Sequence, residues 1–127
     1  MLTSRFEIDV TPGGIPPVVN ASQYDAGSRT LVFVLTSSAG DFVPPSGIKA
    51  EVRGTKPDGN GFSYEARILG REVTVVITEQ MTAAAGKVRC EIALYTGTPA
   101  TNETPASDDY MQLCTANFIL MVERAAL

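Results

Sequence analysis

A run of five apolar residues, LVFVL at positions 31–35, lies in a sequence in which most other apolar segments alternate with polar residues. Such a run is typical of a strand that is covered on both faces, whereas a half-buried strand alternates. Turn-forming residues precede it: Asp25 can bond nearby backbone amides, and Gly27 is free to adopt a positive φ. The pattern predicts a central strand that points Leu31, Phe33 and Leu35 into the core.

The other face of this strand carries Val32 and Val34, which also need a cover. One possibility is the loop of residues 37–47, which contains apolar Phe42 and Val43. The other is a partner protein. The loop is the simpler explanation, and both valines remain candidate partner-contact residues.

Six further segments alternate apolar and polar residues with the period of half-buried strands. They are residues 5–10, 48–53, 62–68, 73–78, 87–95 and 111–122. The triplet Pro57-Asp58-Gly59 separates two of them and predicts a hairpin turn. The segment TEQMTAAA at 78–85 predicts one short helical turn near 79–84, ended by Gly86.

Together these features predict an all-β fold, most simply an immunoglobulin-like antiparallel β-sandwich of about seven strands. A small closed barrel is the nearest competitor. At 127 residues we expect one domain over 1–127, with a core at 5–122 and a tail, or the start of a helical stem, at 123–127.

Composition limits the classes of partner. The net charge of −4 argues against nucleic acid, because binding phosphates requires a basic face. No apolar run approaches the roughly 20 residues that span a bilayer, and no signal peptide is visible, so we expect no membrane partner and synthesis in the cytoplasm. Cys90 and Cys114 lie in predicted strands, which favours free buried thiols over a disulfide.

No set of residues predicts catalysis. The chain has no histidine, which removes the commonest general base and metal ligand. Asp25 and Asp58 lie in turns, where an aspartate side chain bonds following amides. We therefore expect that the protein is not an enzyme and that it has no cofactor or metal site. Tyr95 and Tyr110, which flank the polar loop of residues 96–109, are candidate partner contacts.

Four segments, taken in order, resemble a known family. They are QYDAGSRTLVFVLTSSAGDF (23–42), VRGTKPDGNGFSY (52–64), VTVVITEQMTAAAGKVRCEIALY (73–95) and LCTANFILMVERAAL (113–127). The order, with KPDG followed by TEQMTAAAGKV, resembles the N-terminal domain of the baseplate upper protein of tailed phages and prophages of Gram-positive bacteria. The resemblance extends over about residues 6–122.

The resemblance implies an immunoglobulin-type sandwich that docks on the distal hub of a phage tail, with no catalytic residues. It implies a virion location, other baseplate or tail proteins as partners, and a homo-oligomer such as a trimer or hexameric ring. Family members usually continue into a helical stem, whereas this sequence stops at Leu127. The alternative is a carbohydrate- or cell-surface-binding sandwich that uses the loops at 11–20 and 96–109.

Overall fold

A computed structural model describes residues 2–126, and within them every regular element is a β-strand. The all-β prediction is therefore confirmed. The ten strands are β1 (Leu2–Asp9), β2 (Val18–Ser22), β3 (Arg29–Ser37), β4 (Gly40–Asp41), β5 (Lys49–Thr55), β6 (Gly61–Leu69), β7 (Glu72–Val76), β8 (Gly86–Thr96), β9 (Met111–Cys114) and β10 (Phe118–Glu123).

The strands form one continuous sheet that curls until its two halves face each other. Its order is β1-β3-β7-β6-β5-β8-β10-β2, with β4 added to β3 and β9 added to β8. Strand β6 makes the bend, because its first part pairs with β5 and its last three residues pair with β7. The immunoglobulin-like sandwich is not confirmed, since the hydrogen bonding joins both halves into a half-barrel.

Both ends of this sheet are parallel pairs. Strand β1 runs parallel to β3, and β2 runs parallel to β10. The prediction of purely antiparallel pairing is wrong at these two places. The connection at residues 10–17 carries the chain from one edge of the curled sheet to the other, so β1 and β2 do not form a hairpin.

The prediction of about seven strands missed three features. Strand β2 is short and follows a proline-rich segment, and β4 has only two residues. The predicted strand at 111–122 is broken by Thr115, whose hydroxyl accepts the amide of Ile92 at 3.1 Å. Next to it, the amide of Ala116 donates to the carbonyl of Asp9 at 2.8 Å, which turns the chain toward β1.

The predicted helical turn near 79–84 is not confirmed. Hydrogen-bonded turns occupy residues 79–82 instead, with the amide of Thr82 bonded to the carbonyl of Glu79 at 3.2 Å. The hydroxyl of Thr82 donates to the carbonyl of Asp25 at 2.9 Å, and Met81 is buried. These tertiary contacts hold the segment against the turn before β3, and side-chain bonding of this kind competes with helix formation.

The core lies between the two halves of the sheet. Leu31, Phe33 and Leu35 are at most 2% exposed, as the sequence predicts for the inward face of β3. The Phe33 ring lies 5.7 Å from that of Phe6 and 4.5 Å from that of Phe118, so it joins β1, β3 and β10. Aromatic contacts at these separations add to the free energy gained by burying apolar area.

The C-terminal residues after β10 have no regular structure as far as residue 126, and the predicted start of a helical stem is not seen there. The amide of Ala125 donates to the side-chain oxygen of Gln23 at 3.1 Å. Leu127, the last residue of the predicted tail, lies outside the described residues. The single-domain assignment stays a prediction.

Candidate interaction surfaces

The outer face of β3 is covered by an ion pair that crosses it. Arg5 on β1 and Thr74 on β7 are the register neighbours of Val32, so all three side chains share one face. The Arg5 guanidinium reaches across β3 and bonds Glu72 of β7 with an Nη2–Oε2 distance of 2.6 Å. Val32, on the same face, is only 8% exposed. Within residues 2–126, side chains of the neighbouring strands β1 and β7 flank Val32 on this face.

Electrostatics favour this arrangement at the surface. The hydrogen bond to Arg5 lowers the pKa of Glu72, and the same contact raises the pKa of Arg5. Both side chains remain well exposed, so the pair is screened by solvent and salt. The ion pair holds the arginine side chain, with its apolar stem, on the face of β3 that carries Val32.

Val34 has a different setting from Val32. It is half-buried, and its register neighbours on the same face are Glu7 and Glu72. The loop that the sequence offered as a cover lies at the end of β3, where Phe42 packs on the core and Asp41 bonds Arg71 at 3.0 Å. Val34 therefore stays partly accessible between two carboxylates.

Tyr95 and Tyr110 lie near each other on the outer face of the opposite half of the sheet. Tyr95 is the register neighbour of Gln112, and the Tyr110 hydroxyl donates to the Gln112 side-chain oxygen at 2.9 Å. The same oxygen accepts from Arg53 at 2.9 Å. We call Arg53, Tyr110 and Gln112 the Gln112 cluster. Val32 and Val34 are on the other half, so the four candidate contacts form two separate surfaces.

The polar loop before β9 is ordered by its own hydrogen bonds. The amide of Thr98 donates to the Ser107 hydroxyl at 2.8 Å, and the amide of Ser107 returns a bond to the carbonyl of Thr98 at 3.0 Å. Gly97 begins the loop with φ +70°, and a Cβ there would lie 2.5 Å from the Ser107 hydroxyl. This closed base positions Tyr110 beside Gln112.

A shallow apolar groove lies at the bend of the sheet, where the sequence pattern predicts no surface feature. Two depressions share Ile48 and Ile68; one extends to Val43 and the other to Tyr95. Alternation places both isoleucines inward, and they do point that way, but the sheet opens at this corner and leaves them half-buried. Val43 is 66% exposed. Periodicity alone gives no signal for such an opening.

The residues predicted for turns lie in two loops. The Asp25 carboxylate accepts the amide of Ser22 at 2.9 Å and Nε of Arg29 at 2.5 Å, which lowers its pKa. Gly27 follows with φ +69°, and its amide donates to the carbonyl of Ile77.

The second loop connects β5 and β6 through Pro57, Asp58 and Gly59. The Asp58 carboxylate accepts the amide of Asn60 at 2.9 Å, which lowers its pKa. Gly59 has φ +86°, and its amide bonds the carbonyl of Lys56. Each of these two carboxylates therefore accepts a hydrogen bond from a backbone amide of its own turn.

Both cysteines are free thiols. Cys90 is 3% exposed on the inner face of β8, and burial raises its pKa to about 12. Cys114 is half-buried, and burial raises its pKa too. Because the thiolate is the reactive form, neither side chain is set up as a nucleophile.

Comparison with solved structures identifies a similar fold. The N-terminal domain of phage TP901-1 ORF48 superposes with a TM-score of 0.74 at 11% sequence identity. The match covers 97% of this chain and 99% of the other. No protein-family model and no curated protein sequence matches the chain. Across residues 2–126, no helix is long and apolar enough to cross a membrane.

Proposed function

We propose that this chain is a structural module of a phage virion, which docks peripheral host-recognition parts on the hub of the tail or baseplate. Two findings support it. The order of sequence motifs resembles the baseplate upper protein family, and the fold is shared over nearly its whole length with the N-terminal domain of a phage protein. The second finding carries the proposal, because it is independent of the motifs.

The proposal includes a virion location, partners among other tail proteins, and assembly in several copies such as a trimer or ring. It includes no catalytic role. The Asp25 and Asp58 carboxylates are hydrogen-bonded within their own turns, and the Cys90 thiol is desolvated. Each interaction would therefore be made by surface complementarity and not by chemistry on a substrate.

The test is co-purification of the full chain with tail-hub proteins from the same genome. We expect co-migration on size-exclusion chromatography at micromolar concentration. Val34→Lys and Tyr95→Ala change one candidate surface each, and both positions are partly exposed, so both variants should stay folded. Loss of co-migration with one variant alone would assign the docking surface. Failure of the unmodified chain to co-migrate with any hub protein would refute the proposal.

A carbohydrate-binding role is the second candidate, and one observation favours it. Tyr95 and Tyr110 converge around Gln112, beside Arg53, on an accessible sheet face. Aromatic rings next to hydrogen-bonding side chains suit sugar recognition, since a ring is apolar and the rim is polar. A glycan array with the unmodified chain and Tyr95→Ala tests this role. Binding that is weakened by the substitution would support it, and a blank array would rule against it.

A further inference from the structure

Strand β1 leaves one edge of the curled sheet unpaired. Its even-numbered residues point their main-chain groups toward β3. The amide of Leu2 donates to the carbonyl of Ser28, and just beyond the strand the amide of Val10 donates to the carbonyl of Thr36, each at 2.9 Å. In a parallel pair the intervening residues point their amides and carbonyls the other way. Within residues 2–126, the outward main-chain groups of Thr3, Arg5 and Glu7 have no partner. A free edge of this kind can accept another strand.

The side chains of this edge alternate in charge. Arg5 and Glu7 lie two residues apart on the outer face of the sheet, and both are exposed. On the inner face between them, Phe6 is half-buried although it packs on Phe33. An added strand would cover this ring, and the charges restrict which strand can be added.

We propose that β1 pairs antiparallel with β1 of a second copy of this chain, with Arg5 of each copy opposite Glu7 of the other. The dyad then passes between the two Phe6 residues, which face each other as a non-hydrogen-bonded pair. Facing aromatic residues and opposite charges both stabilise antiparallel pairs. The second copy is the proposed occupant because its own β1 supplies the complementary charge pattern.

The geometry selects this register. Moving it by two residues places Arg5 opposite Arg5 or Glu7 opposite Glu7, which is repulsive. Moving the register by one residue places residues whose amides already bond β3 opposite the partner's free amides and carbonyls, so the hydrogen-bonded ladder cannot form. The carbonyl of Asp9 is already bonded by Ala116, which limits the pairing to four main-chain hydrogen bonds around Phe6. So small an interface predicts a dissociation constant on the order of 0.1–1 mM.

Sedimentation equilibrium over a concentration series tests the dimer. The unmodified chain should pass from monomer to dimer. Arg5→Glu and Glu7→Arg should each weaken self-association at least about tenfold, as expected when opposed charges become like charges. An equimolar mixture of these two variants should associate again, because every opposed pair is then Glu with Arg. The double variant R5E/E7R should also self-associate.

Two controls separate this surface from others. Glu72→Gln removes the ion pair inside the chain that competes for the Arg5 guanidinium, and it should therefore strengthen association. Amide hydrogen exchange at high concentration should slow at Arg5 and Glu7, whereas the amide of Phe6 is already bonded to β3.

A chain that stays monomeric throughout the series would overturn the proposal. So would self-association that ignores both charge reversals, or exchange protection that excludes β1. The inference does not rest on the proposed virion role, because the dimer is tested with the purified chain alone.

Discussion

Arg5 and Glu72 meet across β3 with 2.6 Å between their charged atoms, and Val32 lies beneath them. This contact explains why a strand without polar alternation can lie at the surface of a half-barrel. The charged side chains come from β1 and β7, the two neighbours of β3. Arginine can do this because its apolar stem covers a neighbour while its guanidinium stays in water.

The first prediction concerns this cover. Val32→Asp should lower the free energy of unfolding by about 3 kcal/mol, because it buries a carboxylate beneath the stem of Arg5. Val34→Lys is the control and should cost less than about 1 kcal/mol, since a lysine there can reach Glu7 and Glu72. Urea denaturation of both variants measures the difference. Equal midpoints would mean that Val32 is no better covered than Val34.

The second prediction concerns the close approach of Gly54 to the ring of Phe62. A Cβ at Gly54 would lie 2.4 Å from this ring, and the two residues are paired across β5 and β6. Gly54→Ala should therefore lower the free energy of unfolding by about 1–3 kcal/mol through overpacking. Gly61→Ala is the matched control, because its Cβ would meet only a carbonyl oxygen at 3.5 Å. Thermal denaturation should find Gly61→Ala close to the unmodified chain; an equal loss in both would contradict the steric explanation.

The third prediction concerns the base of the loop before β9. Gly97→Ala would combine a left-handed backbone with contacts of 2.5–2.9 Å to Ser107, Asp109 and Tyr110. Gly70→Ala has the same kind of backbone, φ +61°, with nothing within 4 Å. Both should lose about 1 kcal/mol from backbone strain, but only Gly97→Ala should open the loop. Limited proteolysis within residues 98–109 would detect this opening, and uncut Gly97→Ala protein would count against it.

The fourth prediction concerns pH. The bonds from Arg29 and Ser22 depress the pKa of Asp25 in the folded chain, so its carboxylate contributes stability above the unfolded-state pKa of about 3.9. That contribution should disappear as the pH falls through the lower folded-state value. Asp25→Asn should be less stable than the unmodified chain at pH 7, and the gap should narrow below about pH 4.

Urea midpoints measured from neutral to acid pH test this prediction. Asp58→Asn is the comparison, because its carboxylate is more exposed and bonds a backbone amide without an arginine partner. A gap for Asp25→Asn that stays constant with pH would mean that the carboxylate charge contributes nothing to folding.

Much of the candidate contact surface cannot be predicted from the sequence. The sequence indicates Tyr95 and Tyr110 only as residues that flank a polar loop, and their approach to Gln112 depends on how that loop closes. The groove at Ile48 and Ile68 depends on where the sheet bends within β6. Neither the loop closure nor the bend has a local residue pattern that predicts it.

The sequence alone determined the face on which most strand residues lie. Alternation placed Val73, Val75 and Ile77 inward, and each is at most 2% exposed. Alternation predicts the buried face because backbone geometry fixes the side-chain period of a strand at two. Burial of the apolar face then stabilises the fold.

Only the tertiary structure decided which strands lie side by side. Every residue of a strand offers the same main-chain donor and acceptor, so periodicity cannot show that β1 runs parallel to β3 or that β2 pairs with β10. The cover of Val32 follows from that pairing. Neither the loop nor a partner, the two covers that the sequence suggested, is needed once β1 brings Arg5 within reach of Glu72.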